Sequence, residues 1–288
     1  MKKYFKLIFG KIFSGEQLTE NKVLNLLGLQ VFRYMLAKIL YNLKLLTIQK
    51  SSLSYYNDVS EKGYVIIENF LDQEEFKKVK HEYEDAINDN DLIIDYEDYG
   101  PGVKAKHFYL SDKISNKYPN LFNFYKNIKL QSLFKSWELK ENIQMIFKIE
   151  RLESRSDEGK DKVKAFHYDT FFNTFKAWYY PKKVNLEDGP LVFAQGTQKL
   201  SMKRLFSEWK NSISFAFAKD KKNWFGYGSE TDKIKYYDHI SKKFTVNENT
   251  LIFANTHALH RRGDSIAGAT RDSIHIYSRE NPFKIFLN

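Results

Sequence analysis

Apolar and polar positions follow two different spacings along the chain, one typical of helices and the other of strands. Near the N-terminus, Leu24, Leu27, Val31 and Met35 recur at steps of three and four residues with lysine and arginine between them, which predicts amphipathic helices. From about residue 143 onward, short β-branched and aromatic runs are broken by turn residues, which predicts strands. The pattern predicts a mainly β protein with added helices.

The stretch between these two halves combines a strand, helices and a loop. The β-branched run 65–67 predicts a short strand, and Asp72 followed three residues later by Glu75 predicts the start of a helix. Residues 95–111, DYEDYGPGVKAKHFYLS, carry Gly-Pro-Gly punctuation that predicts a loop. Helical spacing returns at 117–137.

These elements predict one large domain with additions. Residues 1–55 are expected to form basic amphipathic helices, and 56–288 the strand-rich domain. Within that domain, 202–243 mixes helical and aromatic character and is predicted to be an inserted, lid-like segment. No linker rich in proline, glycine or serine separates the two parts.

Composition narrows the classes of protein and of site. With 288 residues, 42% of them hydrophobic and 16% aromatic, the chain can bury a sizeable core. The absence of cysteine excludes disulfides, zinc knuckles, iron–sulfur clusters and thiol nucleophiles. A net charge of +10 favours an anionic partner or surface, although lysine-rich composition alone also produces it. Nucleic acid is not the expected partner.

The N-terminal segment raises the question of a membrane. Its lysines interrupt the apolar run and no small-residue cleavage pattern follows, so neither a signal peptide nor a transmembrane helix is predicted. The expected location is the cytoplasm. Two interpretations of residues 1–50 stay open: a helix packed on the domain, which is preferred, or a basic amphipathic helix lying on the inner membrane surface.

With the common phosphate-binding and serine-hydrolase motifs missing, the histidines become the main candidates for chemistry. The sequence lacks GxxxxGK(S/T), GxGxxG and GxSxG. In AFHYDTFF, at 165–172, His167 and Asp169 would point to one face of an extended chain. Such a pair also occurs by chance. A third ligand would complete the 2-His-1-carboxylate triad of non-haem Fe(II) oxygenases.

A second cluster supplies candidates for that third ligand. In LIFANTHALHRRG, at 251–263, a predicted strand delivers His257 or His260, and a following strand opens at Arg271. Arg271 is expected beside His260 on the neighbouring strand. Because a guanidinium grips a carboxylate through two hydrogen bonds, a metal and Arg271 together suit a chelating keto acid.

These segments, together with 61–76 (EKGYVIIENFLDQEEF) and the tryptophan strand AWYYPKKV, resemble the phytanoyl-CoA dioxygenase family of Fe(II)- and 2-oxoglutarate-dependent oxygenases. The resemblance implies a double-stranded β-helix, a jelly-roll barrel of the cupin type, buttressed by the N-terminal helices. It implies His167, Asp169 and His260 as catalytic iron ligands, with His257 as the rival of His260. It also implies Arg271 and Trp178 as 2-oxoglutarate-binding residues, although Trp178 is equally well explained as a core aromatic.

The resemblance implies a hydroxylase that uses Fe(II), 2-oxoglutarate and O2 and releases succinate and CO2. The expected substrate is a small molecule, a lipid or a sugar-type compound with an unactivated C–H bond. An anionic or phosphorylated group is favoured if the basic residues of the second half face the mouth, and otherwise they are solvated surface. They are Lys203, Arg204, Lys219, Lys221, Lys222, Arg261 and Arg262. The alternative is a non-catalytic jelly-roll protein that binds an anionic glycan or nucleic acid.

Overall fold

Two antiparallel sheets form the body of the protein. The structure, a computed structural model, describes residues 8–10, 18–92, 95–98, 102–111, 114–155, 165–219, 237–278 and 280–284. Its strands are β1 (Tyr64–Ile67), β2 (Asp95–Asp98), β3 (Val103–Tyr109), β4 (Ile146–Ser154), β5 (Phe175–Tyr180), β6 (Leu191–Ala194), β7 (Ser241–Lys243), β8 (Thr250–Asn255), β9 (His260–Arg262) and β10 (Thr270–Tyr277). In these ranges, the larger sheet has the order β1-β8-β5-β10-β4-β3-β2 and the smaller sheet the order β7-β6-β9.

The two faces of the larger sheet bury different sets of side chains. Trp178 of β5 and Ile252 of β8 form one cluster with Leu191 and Phe193 of β6, so this face packs against the smaller sheet. Neighbouring strand residues point to the other face. Tyr179, with its neighbours on that face, joins the main core beneath the helices. A sheet covered on one side by a second sheet and on the other by helices is the layer arrangement of a buttressed jelly roll.

Helices cover the outer face of the larger sheet, and the N-terminal helices pack beside the segment that contains Phe171 and Phe172. They are α1 (Lys22–Leu26), α2 (Leu29–Leu46), α3 (Tyr56–Glu61), α4 (Gln73–Ala86), α5 (Pro119–Phe124), α6 (Ile128–Glu138) and α7 (Met202–Phe217), with a 3-10 turn at Lys50–Ser52. The Asp72 carboxylate accepts hydrogen bonds from the backbone N–H groups of Glu74 and Glu75 at the start of α4. The predicted strand followed by a capped helix is therefore confirmed.

The loop predicted for residues 95–111 is wrong. Strands β2 and β3 occupy most of it and extend the larger sheet at its edge. In β3 the buried Val103, Ala105 and His107 alternate with the half-buried Lys104 and Lys106. This alternation of period two is the strand signal in this segment.

The segment predicted as an insert contributes to the sheet as well as to the helices. Helix α7 begins at Met202 after an N-cap in which the Ser201 hydroxyl accepts from the N–H of Arg204. Ser241–Lys243 forms β7 and pairs with β6. Residues 220–236 of the insert lie outside the described residues. Among the described residues, no helix combines the length and the apolar character that crossing a bilayer requires.

Candidate metal centre

A single antiparallel bridge holds two histidines together at the edge of the smaller sheet. The N–H of His167 donates to the carbonyl of His260 at 2.9 Å, and the N–H of His260 donates to the carbonyl of His167 at 2.8 Å. Residues directly opposite each other in such a bridge present their side chains to the same face. The two imidazole rings accordingly lie 4.6 Å apart, centroid to centroid.

Asp169 completes the cluster from the same short segment. Its N–H donates to the carbonyl of Thr256 at 3.0 Å, which fixes the backbone beside the turn that precedes β9. One Asp169 carboxylate oxygen lies 3.6 Å from Nε2 of His260. One ligand atom from each of His167, Asp169 and His260 can be chosen so that all three lie within 4.8 Å of one another. The structure thus brings together the three residues proposed from the sequence as metal ligands.

Backbone carbonyls orient both imidazoles for ligation. Nδ1 of His167 lies 2.9 Å from the carbonyl of Ala165, and Nδ1 of His260 lies 3.0 Å from the carbonyl of Ala258. A carbonyl oxygen only accepts hydrogen bonds, so each Nδ1 carries the proton and each Nε2 keeps its lone pair. Second partners of this kind hold metal-binding histidines in one tautomer and one ring orientation. The donor set fits a divalent metal.

The electrostatics of the cluster favour a neutral His167 and an ionised Asp169. Burial, and after it the charge of His260, lower the pKa of His167 to about 4. Burial raises the pKa of the Asp169 carboxyl, but the neighbouring His260, followed by Lys176 and His167, outweighs this effect and holds the pKa well below its usual range. Neutral histidine and charged aspartate are the ligand forms that bind a metal ion.

The cluster is open on one side and walled by aromatic rings on the other. The Asp169 side chain keeps 35% of its surface exposed, whereas that of His260 keeps 5%. The rings of Trp178 and Phe193 lie 6.1 and 6.4 Å from the His260 ring. Trp178 therefore stands on the inner face of the larger sheet, beside the candidate ligands. It also belongs to the core cluster between the sheets, as expected of a core aromatic, and its role toward 2-oxoglutarate stays a prediction.

Arg271 lies in the opposite sheet from His260 and not on a neighbouring strand. β9 pairs with β6, whereas β10, which carries Arg271, pairs with β4 and β5. The expected adjacency is wrong because the chain crosses between the sheets after β9. The Arg271 side chain is buried, and Nη1 donates to the carbonyl of Gly189. It points to the same face of β10 as His275, which pairs with Trp178.

His257, the rival of His260, lies in a different environment. It is fully buried on the turn between β8 and β9, where Nδ1 faces the carbonyl of Thr170 at 3.1 Å and Nε2 faces the hydroxyl of Tyr34 at 3.3 Å. Burial, and after it the charge of Arg204, hold the pKa of His257 well below its usual value. His257 is outside the metal cluster and joins the N-terminal helix to the barrel.

A buried polar group on the inner face of the larger sheet was not anticipated from the sequence. Nζ of Lys148 lies 2.6 Å from Glu150, whose other oxygen lies 3.4 Å from Nε2 of His275. Burial raises the pKa of Glu150, but His275, Lys148 and Arg271 outweigh it and hold this pKa well below its usual range. The signal in the sequence was the alternation Lys148, Glu150 within a strand, on the face that His275 and Trp178 share.

The basic residues of the second half, for which a position at the mouth and a solvated surface were both considered, differ in burial. Arg204, Arg261 and Arg262 are buried, so they are not solvated surface. Arg204 pairs with Glu208, and Nη2 of Arg261 lies 3.5 Å from Asp238. Two of the lysines in this set, Lys203 and Lys219, are exposed. Lys221 and Lys222 lie outside the described residues.

Comparison with known proteins identifies the fold. No family model and no curated protein matches the chain. The chain is similar to the epimerase SnoN in complex with Fe3+, alpha ketoglutarate and nogalamycin RO, with a TM-score of 0.51 and 14% identity over 78% of this chain and 81% of that one. It is also similar to EctD from S. alaskensis with 2-oxoglutarate and 5-hydroxyectoine, with a TM-score of 0.52 and 12% identity over 79% and 76%.

A third similar structure is the non-heme alpha ketoglutarate dependent carbocyclase SnoK from nogalamycin biosynthesis, with a TM-score of 0.50 and 11% identity over 80% of this chain and 83% of that one. At such identities the similarity concerns the fold. The resemblance to the phytanoyl-CoA dioxygenase family stays a prediction. The chain has the double-stranded β-helix fold, as the resemblance implied.

Proposed function

We propose that the protein is an Fe(II)- and 2-oxoglutarate-dependent dioxygenase that hydroxylates an unactivated C–H bond. The observation that carries this proposal is the convergence of His167, Asp169 and His260 within 4.8 Å. Two histidines and one carboxylate leave three positions of an octahedral metal open, which is the arrangement of non-haem iron oxygenases. The similar folds of SnoN and EctD, whose structures contain alpha ketoglutarate or 2-oxoglutarate, support the same assignment.

The ligand residues are ready to receive a metal with little rearrangement. His167 and His260 would bind through Nε2, because both Nδ1 atoms are engaged with carbonyls. Asp169 would bind as a carboxylate. When bound, iron and 2-oxoglutarate would supply the oxidation of the substrate by O2, with release of succinate and CO2.

Arg271 and Trp178 are proposed to hold the cosubstrate. Arg271 is a buried cation on the inner face of the larger sheet, and its bond to the Gly189 carbonyl fixes one end of the guanidinium fork. Such a fork matches the two oxygens of a carboxylate. Trp178, with its ring beside His260, would form a wall that excludes water.

Hydroxylation is proposed because Asp169 supplies a carboxylate ligand. Related halogenases replace this ligand and leave room for chloride, whereas here the carboxylate lies beside both histidines. SnoN and SnoK are named as an epimerase and a carbocyclase, so this fold also accommodates reactions other than hydroxylation. Analysis of the product by mass would separate a gain of one oxygen atom from a rearrangement without such a gain.

The proposed substrate is a small molecule, with an anionic, lipid-linked or sugar-linked group favoured. SnoN is named in complex with nogalamycin RO and EctD with 5-hydroxyectoine, both of them small molecules. On this chain, Nζ of Lys176 lies 5.0 Å from the centroid of the Trp178 ring. The charge of Lys176 also lowers the pKa of Asp169. A cation at this place favours a substrate with a negative group near the reacting bond.

Succinate formation without a substrate tests the enzyme assignment. Purified protein is incubated with Fe(II), ascorbate and 2-oxoglutarate in air, and slow uncoupled succinate release is expected. His167→Ala and Asp169→Ala should abolish it. The matched control is His81→Ala, because His81 is an exposed histidine on α4 beside Asp85. Release that is absent from the wild-type protein would favour the non-catalytic binding protein.

A further inference from the structure

Two helices that contact each other, α2 and α7, expose large apolar side chains and bury polar side chains together with smaller sets of apolar ones. In α2, Gln30 and Arg33 are buried, whereas Phe32 is 54% exposed. In α7, Arg204 and Glu208 are buried, whereas Phe206 is 61% exposed. A helix of a water-soluble domain normally has the opposite arrangement.

Hydrogen bonds between buried polar groups fix this orientation. Nε of Arg204 donates to Oε1 of Glu208 at 3.0 Å, and Nε2 of Gln30 donates to Oε2 of the same carboxylate at 3.2 Å. The guanidinium of Arg33 also donates to Oε1 of Gln30 at 3.1 Å. Rotating either helix to bury its apolar stripe would break the bond between Gln30 and Glu208 and separate polar groups that are buried against each other, which is costly. The buried hydrogen bonds therefore fix the outward orientation of the apolar stripe.

The exposed apolar side chains of α7 join those of α1 in one surface. Nε1 of Trp209 donates to the carbonyl of Leu26 at 3.1 Å, and Nζ of Lys22 lies 4.8 Å from the ring centroid of Phe217. Phe206 and Trp209 have ring centroids 5.9 Å apart. We call this patch the outer apolar surface. Its members are Val23, Leu26, Leu27, Met202, Phe206, Trp209 and Phe217, with exposures of 36 to 80%.

The chain segments that carry the outer apolar surface are rich in exposed lysines and poor in acidic residues. Between residues 199 and 219 the sequence has one acidic residue, Glu208, and it is buried against Arg204. Among the described residues 18–26, which include α1, Glu20 is the one acidic residue, and it is exposed. The exposed lysines of these segments are Lys22, Lys199, Lys203, Lys210 and Lys219.

We propose that the outer apolar surface docks on an anionic lipid bilayer. Aromatic, leucine and methionine side chains would enter the boundary between headgroups and acyl chains, and the lysines would contact lipid phosphates. A symmetric dimer through the same surface would bring the lysines of two copies together, and their like charges would repel. The charge complementarity therefore favours a membrane over a second copy of the chain.

Docking would bring the candidate metal centre close to the membrane. The Arg204 guanidinium of α7 stacks 3.5 Å above the ring of Tyr168, which stands between His167 and Asp169 in the chain. The outward stripe of α7 is thus about one helix diameter, roughly 10 Å, from the ligand-bearing segment. Resting on the proposed function, this places the substrate among amphiphilic molecules that reside in the bilayer.

Vesicle co-sedimentation of the full chain tests the docking without any catalytic readout. The probes are vesicles of phosphatidylcholine alone and vesicles with an equal part of phosphatidylglycerol. The protein should sediment with the second and not with the first. Met202→Ser, Phe206→Ser and Phe217→Ser combined should weaken binding about tenfold or more. The control combines Ile128→Ser, Leu186→Ser and Ile266→Ser, which remove exposed apolar residues elsewhere (84, 55 and 55% exposed).

Two further measurements make each outcome decisive. Far-UV circular dichroism of both variants verifies that they are folded. Light scattering compares their oligomeric state with that of the wild-type chain. Equal binding by the two variants, or no binding to phosphatidylglycerol, overturns the proposal. A wild-type dimer that the Met202, Phe206 and Phe217 variant converts to monomer overturns it in favour of a second copy. Succinate release is scored separately, so loss of the docking proposal and loss of the proposed enzyme function are distinguishable.

Discussion

His167 and His260 are joined by two reciprocal backbone hydrogen bonds, and their imidazoles share one face of the resulting bridge. The bridge connects two segments that are far apart in the sequence, and the backbone itself therefore positions the side chains. The segment of His167 also delivers Asp169 two residues later. A candidate metal centre built in this way depends on the pairing of β9 with the segment before β5.

Exchange of His260 for alanine should remove metal binding, whereas exchange of His257 should not. His260 contributes an Nε2 to the cluster, and His257 instead contacts Tyr34 and Thr170. Isothermal titration with Co(II) as a stable probe should show a loss of affinity for His260→Ala of more than about a hundredfold. His257→Gln should keep the affinity within a few-fold of the wild-type value. Loss of binding in His257→Gln, with the protein still folded, would transfer the ligand role to His257.

Substitution of Arg271 should weaken the binding of 2-oxoglutarate and leave the binding of the metal unchanged. A charge-assisted bidentate contact contributes roughly 1.5 to 3 kcal/mol, so Arg271→Met should weaken 2-oxoglutarate binding by about ten- to a hundredfold. The 2-oxoglutarate affinity of Arg271→Lys should lie between those of Arg271→Met and the wild type, because an ammonium group retains the charge but not the two-pronged geometry of the guanidinium. Equilibrium dialysis with metal-loaded protein measures this. Unchanged 2-oxoglutarate binding together with unchanged metal binding would exclude Arg271 from the cosubstrate site.

The buried ion pair between Arg204 and Glu208 of α7 should be essential for stability. Glu208→Ala leaves the Arg204 guanidinium buried without its carboxylate, which should lower the free energy of unfolding by about 3 to 5 kcal/mol. Arg204→Met combined with Glu208→Leu replaces both charges with apolar groups and should recover a large part of this loss. Urea denaturation of the two variants and the wild type gives the comparison. A single variant that loses less than about 1 kcal/mol would show that the pair does not fix α7.

Stability should decrease between pH 4.5 and 7 because of Glu138. Burial raises the pKa of this carboxyl from 4.5 to about 7, although the N–H of Phe175 donates to it at 3.0 Å. In this interval the folded state keeps a proton that the unfolded chain has released, so the free energy of unfolding falls as pH rises, by up to about 3 kcal/mol.

Glu138→Gln removes the titrating group while keeping an oxygen that can accept from Phe175. The pH dependence of unfolding should therefore be flatter in this variant than in the wild type between pH 4.5 and 7. Urea denaturation at several pH values measures the difference. Parallel curves for the two proteins would show that Glu138 does not titrate in this range.

The strand-rich half and the capped helix were predictable because their signals are local. β-branched runs, turn residues and an Asp72 cap are read from a few neighbouring residues. At 95–111 two local signals conflict, because Gly-Pro-Gly predicts a loop whereas the alternation of Val103, Ala105 and His107 predicts a strand. The tertiary pairing with β4 decides that segment.

His167 and Asp169 were predictable from residue type and spacing, and the resemblance added His260, but the position of Arg271 was not predictable. Adjacency in sequence suggested a neighbouring strand, whereas the chain passes from the smaller sheet to the larger one between His260 and Arg271. The outward apolar stripe of α7 was also hidden. Periodicity identifies an apolar face, and only packing partners such as Gln30 and Glu208 show which face is buried.

The central claim is that His167, Asp169 and His260 bind iron together with 2-oxoglutarate, and an anaerobic titration tests it most directly. Fe(II) added to the protein in the presence of 2-oxoglutarate should produce a visible charge-transfer band that saturates at one iron per chain. The band should be absent in His167→Ala and retained in His81→Ala. No band in the wild-type protein, or a band of equal intensity in His167→Ala, would contradict the assignment.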